Sequence, residues 1–396
     1  MFNIPIAKTN LNDEEINSVL EPLKSGWLVQ GSKVNNFEKV WSEFVGCKQS
    51  IAVTSCTSAL YLSLAALGFS KDDEAIVPAF TWISTANVIE HLGGKVVFVD
   101  IDLNTFNIDF TKIEERITDR TKAILPVHLF GLPAAMNEIL KIARKYNLVV
   151  VEDAACGFGS KLNQTHVGTF GNTGCFSFHP RKAITTGEGG MITTNDEELA
   201  IKMRRLRDHG ASLSDHQRHL GPKPYLLSDH KDAGFNLRMT DIQAALGLAQ
   251  MKRAKKIVNE RKKIADKYNS EFKDLTWLKT PLNKEFFTHG YQSYPCLFET
   301  EEINWAIENK KYDLISNINN KRNRWMDNLQ KRGISTRPST HAVHMLEFYK
   351  KKYNIKREDF PNSWIANDCS ISLPLFHGLS KEEQDYLISV VLERNY

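Results

Sequence analysis

The sequence predicts an α/β protein whose central sheet is largely parallel. Between residues 50 and 195, short apolar runs alternate with segments whose apolar residues recur at helical spacing. The runs that resemble buried strands are IAVTS, EAIVPA, KVVFVDI, TKAILPVH, LVVVED and GCFSFH. The helical segments between them are CTSALYLSLAALG, WISTANVIEHLG and AAMNEILKIARKY. Strands that alternate with helices indicate a mostly parallel sheet that is covered on both faces.

A second unit follows this sheet. From 239 to 270 the pattern becomes one long helical segment, with Thr240 and Asp241 as caps and a later half rich in Lys and Arg. Residues 271–396 form a more mixed α/β segment, which includes an acid-rich loop near 299–308 and a closing amphipathic helix. The sequence therefore predicts a large domain over 1–250 and a smaller C-terminal α/β domain over 251–396.

Composition and charge argue against a nucleic-acid-binding protein. The chain has 396 residues, 42% of them hydrophobic, which is ample for a large core in two lobes. Its formal charge of +4 is too small for a protein that wraps nucleic acid. The basic residues within 239–270 alternate with apolar residues at helical spacing, so they indicate a solvated helix face.

The cysteines and the apolar runs indicate the compartment. The cysteines show neither a CxxC pair nor a Cys/His metal spacing; they are Cys47, Cys56, Cys156, Cys175, Cys296 and Cys369. We therefore expect no disulfide framework and no metal site. The first residues lack the features of a signal or transit peptide. The run 51–69 is interrupted by hydroxyl residues and indicates a buried helix, not a membrane span. We expect a cytoplasmic protein without a membrane segment.

Asp153 closes the strand LVVVED. An acid at the carboxyl end of a parallel strand faces the crevice where such sheets bind ligands. If this carboxylate meets a pyridine nitrogen, its charge keeps the nitrogen protonated and makes the ring an electron sink. An ordinary helix cap after a strand explains Asp153 on its own equally well.

Lys182 follows the strand GCFSFH in a polar loop. A lysine that forms a Schiff base must release its proton near neutral pH, which requires burial or a neighbouring cation. Arg181 is such a cation, and the glycines Gly187, Gly189 and Gly190 would let the backbone approach a ligand closely. Taken alone, Lys182 is also explained as one more surface lysine.

A third segment, Ser55–Ser58, lies where the strand IAVTS meets a helix. Amide groups at a helix N-terminus, aided by hydroxyl groups, form a phosphate cradle, to which Ser177 would add a further hydroxyl. Capping of a buried helix accounts for the same hydroxyl groups. Trp82, in PAFTWISTAN, has the shape to stack on an aromatic cofactor, and a tryptophan of the core is the competing interpretation.

These segments belong to a longer set of motifs that resembles the DegT/StrS-type sugar aminotransferases. The motifs run nearly end to end: SGWLVQGSKVNNFE, IAVTSCTSAL, VPAFTWISTAN, LPVHLFG, VEDAA, FSFHPRKAITTGEGGMITTND, LRDHGAS, GFNLRMTDIQAALG and SLPLFHGLS. Within this family, SFHPRKAITTGEGG, RDHGAS and the stretch with Arg218, His219 and Tyr225 are most similar to the perosamine-synthase-like enzymes.

The resemblance implies a fold, a cofactor and a reaction. The fold is aspartate-aminotransferase-like (fold type I of the pyridoxal-phosphate enzymes), with a mostly parallel seven-stranded sheet in the large domain. The cofactor is pyridoxal 5′-phosphate (PLP). L-Glutamate would give its amino group and leave as 2-oxoglutarate. The acceptor would be a nucleotide-linked 4-keto-6-deoxyhexose, aminated at C4 to give an amino sugar for a surface polysaccharide such as a lipopolysaccharide O-antigen.

The resemblance also implies roles for individual residues. Lys182 would be the Schiff-base lysine and the catalytic residue, and Asp153 the partner of the pyridine nitrogen. Trp82 would stack on the cofactor ring, while Thr57 and Ser177 would hold its phosphate.

The resemblance further implies a homodimer with shared active sites. Asn236, in GFNLRM, corresponds to an asparagine that reaches the phosphate from the second subunit, and Arg238 lies beside it. The chain departs from the family at two cofactor-binding positions, with Cys56 where the family often has Gly and Cys156 where it often has Gln. Cys56 keeps its backbone amide for the phosphate, whereas Cys156 lacks the amide group of Gln near the cofactor ring.

The sequence says less about the substrate and the exact reaction than about the cofactor. Trp27, Lys33, Arg238, His341 and His344 are candidate substrate contacts, and a surface or core role explains each as well. Amination at C3 of a 3-keto sugar and a PLP-dependent aromatising or dehydrating reaction remain open, although the family's dehydratases have His at the position of Lys182. A non-catalytic regulator should have lost Asp153 or Lys182.

Overall fold

The computed structural model describes residues 2–283 and 285–394. The strands are β1 Gln49–Val53, β2 Glu74–Pro78, β3 Phe80–Thr81, β4 Lys95–Val99, β5 Thr121–Ile124, β6 Val149–Asp153, β7 Lys161–Leu162, β8 Thr165–His166, β9 Thr173–Ser177, β10 Gly190–Thr194, β11 Leu278–Lys279, β12 Phe287–Thr288, β13 Tyr294–Phe298, β14 His341–Ala342 and β15 Ser370–Leu373.

The α-helices are α1 Asp13–Ser18, α2 Leu20–Ser25, α3 Ser32–Val45, α4 Cys56–Ala66, α5 Ser84–His91, α6 Met136–Lys145, α7 Glu197–Arg207, α8 Asp215–Leu220, α9 Asp241–Met251, α10 Ala254–Phe272, α11 Thr300–Glu308, α12 Leu314–Lys331, α13 Glu347–Tyr353, α14 Pro361–Cys369 and α15 Lys381–Leu392. Short 3₁₀ turns lie at Phe110–Lys112, Glu114–Arg116, Leu129–Gly131, Val343–Met345 and Arg357–Asp359.

A seven-stranded sheet forms the centre of the first part of the chain. Its strand order is β1-β10-β9-β6-β5-β2-β4. The pairs from β4 to β9 are parallel, and β10 is antiparallel to both β9 and β1. Six strands therefore point the same way, and their carboxyl ends share one edge. The predicted mostly parallel seven-stranded sheet is confirmed.

Helices cover both faces of this sheet because its strands are apolar on both sides. The aromatic residues of α3 pack with Phe176 and Phe178 on one face, beside α9 and α10. On the other face α4, α5 and α7 bury their apolar residues against the same strands. This arrangement leaves the carboxyl edge of the sheet as the open edge that loops can occupy.

The C-terminal part builds its own core on a three-stranded antiparallel sheet of order β11-β13-β15. Helices α10, α12, α14 and α15 contribute to that core, which extends to Phe80 and Val127 at the edge of the central sheet. Strand β14 pairs with β3, with His341 opposite Thr81. The second unit thus lies against the edge where the strands of the first unit end.

Two local predictions differ from the structure. The segment 239–270 is divided into α9 and α10 at Lys252 and Arg253, where the Arg253 side chain binds Glu15 and the carbonyl of Asn10. The predicted loop near 299–308 is wrong: it is helix α11. Its acids Glu301 and Glu302 lie in the first turn, where the helix dipole favours negative charge.

Among residues 2–283 and 285–394, no helix combines the length and apolar character needed to cross a bilayer. The same residues contain no group of three or more His, Cys, Asp or Glu side chains placed to hold a metal ion.

Candidate active site

The shared edge of the sheet gathers the segments singled out in the sequence. Strand β6 ends at Asp153 and β9 ends at Ser177, while β1 leads directly into the N-terminus of α4 at Cys56. Because β1, β6 and β9 run in the same direction, these three ends lie at one edge. Parallel topology, and not proximity in sequence, brings the three segments together.

Asp153 is held rigidly at this edge. Its side chain is 4% exposed, with Oδ2 accepting a 2.7 Å hydrogen bond from Thr85 Oγ1 and Oδ1 accepting a 3.1 Å bond from the Ala155 amide. Its own amide donates to the carbonyl of Pro126, and its carbonyl accepts from the amide of His128. Hydrogen bonds to an ionised carboxylate favour the charged form. The acid is therefore oriented by Thr85 of α5, by the backbone that follows β6 and by the segment that follows β5.

Lys182 lies in the loop between β9 and β10. Its Nζ is 3.3 Å from Cys156 Sγ, three residues beyond Asp153, and its amide donates to the carbonyl of His179. Gln292 fixes the loop on both sides of the lysine, since Nε2 donates to the carbonyl of Arg181 and Oε1 accepts from the amide of Ala183. The second unit thus positions Lys182 against the end of β6.

Asp153 and Lys182 lie at the same end of β6, since Lys182 Nζ is 3.3 Å from the thiol of Cys156, three residues beyond Asp153, and the thiol of Cys56 lies near both charges. Burial raises the pKa of the Cys56 thiol well above its ordinary value, the Asp153 carboxylate raises the pKa further, and the Lys182 ammonium lowers it. A single thiol is within range of both charges. The central pair of residues predicted from the sequence therefore lies together.

The N-terminus of α4 has the form of an anion site. Ser55 Oγ accepts from the Ser58 amide at 3.0 Å, so the capping interpretation of Ser55 holds. The amides of Cys56 and Thr57 begin the helix and have no acceptor within it. Gly190 of β10 packs on this turn so closely that a Cβ would lie 2.4 Å from the Ser55 carbonyl carbon. Thr57 Oγ1 donates to Ser84 Oγ at 2.9 Å.

Trp82 lies near this edge and is exposed. It has 59% of its side chain accessible, and its ring centroid is 5.7 Å from that of His341 on β14. A core tryptophan would be buried, so the core interpretation of Trp82 does not hold. Ser177 is partly buried, and its Oγ accepts from the amide of His179 at 3.4 Å.

The remaining predicted residues lie in different environments. Asn236 is exposed and lies opposite Asp208 in an isolated antiparallel β-bridge. Asp208 Oδ1 accepts a 2.6 Å hydrogen bond from Arg238 Nη1. Trp27 packs against His216 and His219 of α8, and Lys33 Nζ forms a 2.6 Å ion pair with Glu21.

His344 lies in the interior. Its side chain is fully buried against Phe360, with ring centroids 4.9 Å apart, and Nε2 is 3.4 Å from the carbonyl of Arg357. Burial lowers the pKa of His344 below its ordinary value. This placement favours a core role for His344 over a substrate contact.

Three residues of the site were not found in the sequence: Thr85, Gln292 and Arg337. Thr85 lies in the motif that contains Trp82, so its hydroxyl group was a usable signal. Gln292 and Arg337 come from distant segments of the second unit and line a small cavity together with Arg181, the residue before Lys182. No local pattern marks them, because only the packing of the two units brings them to Lys182.

A comparison with protein families identifies the chain. The model of the DegT/DnrJ/EryC1/StrS aminotransferase family matches residues 9–392. The chain belongs to this family. The Bacillus subtilis spore coat polysaccharide biosynthesis protein SpsC is 37% identical over 388 residues, covering 98% of this chain and 96% of that protein. GDP-perosamine synthase of Escherichia coli O157:H7 is 36% identical over 397 residues, covering 99% of both.

Solved structures of sugar aminotransferases share the whole fold. Helicobacter pylori PseC, an aminotransferase of pseudoaminic acid biosynthesis, superposes with a TM-score of 0.86 at 31% identity and 99% coverage of both chains. A Streptococcus pneumoniae protein described as the PLP form of a sugar aminotransferase has a TM-score of 0.88 at 28% identity, covering all of both chains. This DegT/DnrJ/EryC1/StrS member is a PLP-dependent sugar aminotransferase of fold type I.

Proposed function

We propose that this chain transfers the amino group of L-glutamate to C4 of a nucleotide-linked 4-keto-6-deoxyhexose. The observation that carries the proposal is that the end of β6 holds both groups: Thr85 and the Ala155 amide orient the Asp153 carboxylate, and Lys182 Nζ lies 3.3 Å from Cys156 Sγ, three residues further along the chain. The substrate class rests on the 36% identity to GDP-perosamine synthase along the whole chain.

Lys182 is proposed as the catalytic residue. Bound PLP supplies an aldehyde carbon that reacts with amines and a pyridinium ring that withdraws electrons. Lys182 Nζ would hold the cofactor in the resting enzyme, and its free amine would serve as the base that takes and returns a proton at the substrate carbon. The loop that Gln292 fixes on both sides keeps this amine within reach throughout. One residue thus serves as covalent attachment and as base.

Asp153 and the N-terminus of α4 are proposed to bind the two ends of the cofactor. Asp153, oriented by Thr85, would pair with the pyridine nitrogen, and its charge would keep that nitrogen protonated. The amides of Cys56 and Thr57 and the Ser177 hydroxyl hold the phosphate. Trp82 would cover the ring, since its exposed position fits stacking on a ligand better than packing in a core. Cys156 lies beside Lys182 and would be near the same ring.

A homodimer with shared sites is proposed as the active unit. Five large apolar side chains are exposed between α7 and α9: Leu213, Leu220, Tyr225, Leu226 and Leu227. Exposed apolar patches of this kind mark interaction surfaces. Asn236 and Arg238 follow this segment, and we propose that a second copy covers it while Asn236 reaches the partner's phosphate site.

The proposed setting is amino sugar synthesis for surface polysaccharides in the cytoplasm, without nucleic acid or membrane partners. The similarity to SpsC, named for spore coat polysaccharide biosynthesis, supports this setting. Trp27, Lys33, Arg238 and His341 remain proposed contacts of the nucleotide sugar.

Replacement of Lys182 tests the function. We expect the purified protein to be yellow and to bleach when L-glutamate is added. Lys182→Ala should lack the absorbance of the attached cofactor and have no turnover, whereas Lys255→Ala, an exposed lysine on α10, should behave as the wild type. Normal turnover in Lys182→Ala would refute the assignment. Mass spectrometry of the product separates amination from loss of water.

A further inference from the structure

A thiol and an amine from separate loops lie in contact just beyond the end of β6. Cys156 Sγ is 3.3 Å from Lys182 Nζ, and both residues are partly exposed. The Gly157 amide donates to the carbonyl of Ala154 and closes the turn that contains Cys156. Gln292 fixes the loop on both sides of Lys182. Two nucleophilic side chains are therefore held together at a place that a small solute can reach.

The surroundings of Cys156 are positively charged. Burial lowers the pKa of the Arg261 guanidinium to about 10, and the charge of the Cys156 thiolate opposes that shift. Burial also lowers the pKa of Arg337, as does Arg181, and the Cys156 thiolate again acts in the opposite direction. Oxidants attack the thiolate form of cysteine, which neighbouring cations stabilise. Partial exposure among cations is the environment of an oxidation-sensitive cysteine.

The other five cysteines lie in different environments. All six cysteines of the chain are free thiols. Cys175, Cys296 and Cys369 are fully buried, and burial raises the pKa of each thiol. Burial also raises the pKa of the Cys56 thiol well above its ordinary value. Cys47 is partly exposed, but its Sγ donates to a backbone carbonyl and does not contact an amine in the described part of the chain.

We propose that oxidation of Cys156 joins its sulfur to the Lys182 amine in a reversible sulfur–nitrogen bond. Hydrogen peroxide first converts the thiol to a sulfenic acid and is itself reduced to water. The neutral Lys182 amine then attacks the sulfur, so that the S–N bond forms and the S–O bond breaks. The hydroxyl group leaves as water with one proton from the amine. Overall the sulfur gives up two electrons, and the pair of side chains loses two hydrogen atoms.

The geometry favours Lys182 over a second thiol as the partner of the oxidised sulfur. Its amine is already in contact with Cys156, and its flexible side chain can supply the remaining approach. The Cys56 thiol is held in its neutral form by burial, and its Sγ donates to the carbonyl of Cys175 at 3.4 Å. A thiol reductant reverses the bond by attacking the sulfur, which releases the amine, and a second thiol then restores Cys156.

The bond requires a free amine at Lys182, so its formation should depend on the state of the enzyme. This part of the inference rests on the proposed function, in which the Lys182 amine holds the cofactor at rest and is released by L-glutamate. The resting enzyme should therefore resist the cross-link, whereas the apoprotein and the glutamate-treated enzyme should form it. Oxidation would then reversibly stop an enzyme that has already taken its amino group.

Peptide mapping by mass spectrometry tests the inference. The apoprotein and the PLP-loaded protein, with and without L-glutamate, are treated with hydrogen peroxide, alkylated and digested without reductant. In the apoprotein and the glutamate-treated protein, we expect the peptides that contain Cys156 and Lys182 to be joined. The joined pair should be about 2 Da lighter than the sum of the two peptides. Dithiothreitol should separate the peptides and restore turnover to the oxidised enzyme.

Two variants serve as matched controls. Cys156→Ser should form no cross-link to Lys182, whereas Cys47→Ser, at the other partly exposed cysteine with a free Sγ–H donor, should form it as the wild type does. The inference would be overturned by a Cys156 that stays unmodified, that oxidises further to a sulfinic acid beside an unmodified Lys182, or that joins Cys56 instead. A cross-link that forms equally in the apoprotein and the resting enzyme would support the sulfur–nitrogen bond but contradict the proposed role of Lys182.

Discussion

Two adjacent acids at the end of β6 point in opposite directions and have different environments. Asp153 faces the cleft and is bound by Thr85 and the Ala155 amide. Glu152 is fully buried and accepts hydrogen bonds from the amides of residues 168, 170 and 171. His128 Nδ1 accepts from the Ala134 amide, so its Nε2 carries the proton and donates to Glu152 at 2.8 Å. Successive side chains of a strand point to opposite faces, so Asp153 faces the cleft while its neighbour Glu152 is buried as a structural residue.

This difference predicts opposite effects for two isosteric substitutions. Asp153→Asn should reduce turnover by about two orders of magnitude, because an amide does not hold a charge against a pyridinium ring. Its free energy of unfolding should change little, since Thr85 can donate to the new carbonyl. Glu152→Gln should lower the unfolding free energy by about 1–3 kcal/mol, because its amide can accept fewer of the surrounding N–H groups.

Urea denaturation and steady-state turnover of both variants check this prediction. Each substitution is the control for the other, since both remove one charge from the same strand. Equal losses of stability, or equal losses of turnover, would show that the two acids do not have separate roles.

For single residues, the sequence indicated candidates that lie within a motif, but it did not indicate residues that reach the site from the second unit. Asp153 and Lys182 were proposed because Asp153 ends one strand and Lys182 follows another, each within a motif. His344 was named as a candidate contact because it lies in the same turn as His341, yet His341 is exposed whereas His344 is buried. Arg337 carried no local signal, since its partner segments lie more than 30 residues away.

Among the elements, β10 shapes the N-terminus of α4. Gly190 pairs with Val53 at the end of β1, and a Cβ at Gly190 would lie 2.4 Å from both the carbonyl carbon and the oxygen of Ser55. Real Cβ contacts are never this short, so any side chain would displace the first turn of α4. The close approach of the two backbones requires glycine at this position.

Gly190→Ala should therefore weaken cofactor binding through the phosphate end. We expect the affinity of the apoprotein for PLP, measured by fluorescence titration, to fall about 10-fold or more, with about 1–3 kcal/mol of lost stability from overpacking. Gly247→Ala on α9 is the control, because a Cβ there would lie 2.7 Å from the Phe37 ring of α3, so it should lose stability by overpacking without losing affinity for PLP. An unchanged affinity in Gly190→Ala would argue against the phosphate site at α4.

The helices show which element boundaries a sequence leaves undetermined. Apolar periodicity correctly indicated helix across most of 239–270, but the break before α10 depends on the contact of Arg253 with Glu15, more than 200 residues away. The acids that suggested a loop near 299–308 instead stabilise the start of α11. Charge at a helix N-terminus and charge in a loop are alike in sequence, and tertiary contacts distinguish them.

For the whole molecule, buried neutral histidines connect stability to pH. Burial lowers the pKa of His166 to about 4 and that of His289 to about 3, from an ordinary value of 6.5. His166 accepts from the Gly159 amide and contacts the Val167 carbonyl at 2.7 Å, so it is satisfied while neutral. The unfolded chain binds protons that the folded protein excludes. The contribution of these histidines to the free energy of unfolding is therefore fully present above pH 6.5 and is lost as the pH falls toward 4.

Each such histidine contributes a slope of about 1.4 kcal/mol per pH unit between 6.5 and 4, and the slope flattens below the folded pKa. His166→Asn should reduce the slope of unfolding free energy against pH in that window, whatever its stability at pH 7. Urea denaturation from pH 7 to pH 4.5 measures the slope. His91→Asn, at an exposed position on α5, should leave the slope unchanged. An unaltered slope in His166→Asn would contradict a buried, neutral His166.

The sequence predicted the overall architecture better than it predicted element boundaries or contacts between the two units. Strand runs separated by helical segments require crossover connections, and these fix a mostly parallel sheet with its loops at one edge. The antiparallel strand β10 was not among the apolar runs, because its sequence GMITT is short and follows a glycine-rich loop. How the second unit meets that edge depends on packing over the full chain, so Gln292 and Arg337 became visible only in the folded protein.

The identity of the residue that carries the cofactor tests the central claim most directly. The yellow protein is treated with borohydride, which makes the link between PLP and its amine permanent, and is then digested and analysed by mass spectrometry. We predict that the added mass lies on the peptide containing Lys182 and on no other. Attachment to a different lysine, with Lys182 unmodified, would contradict the account.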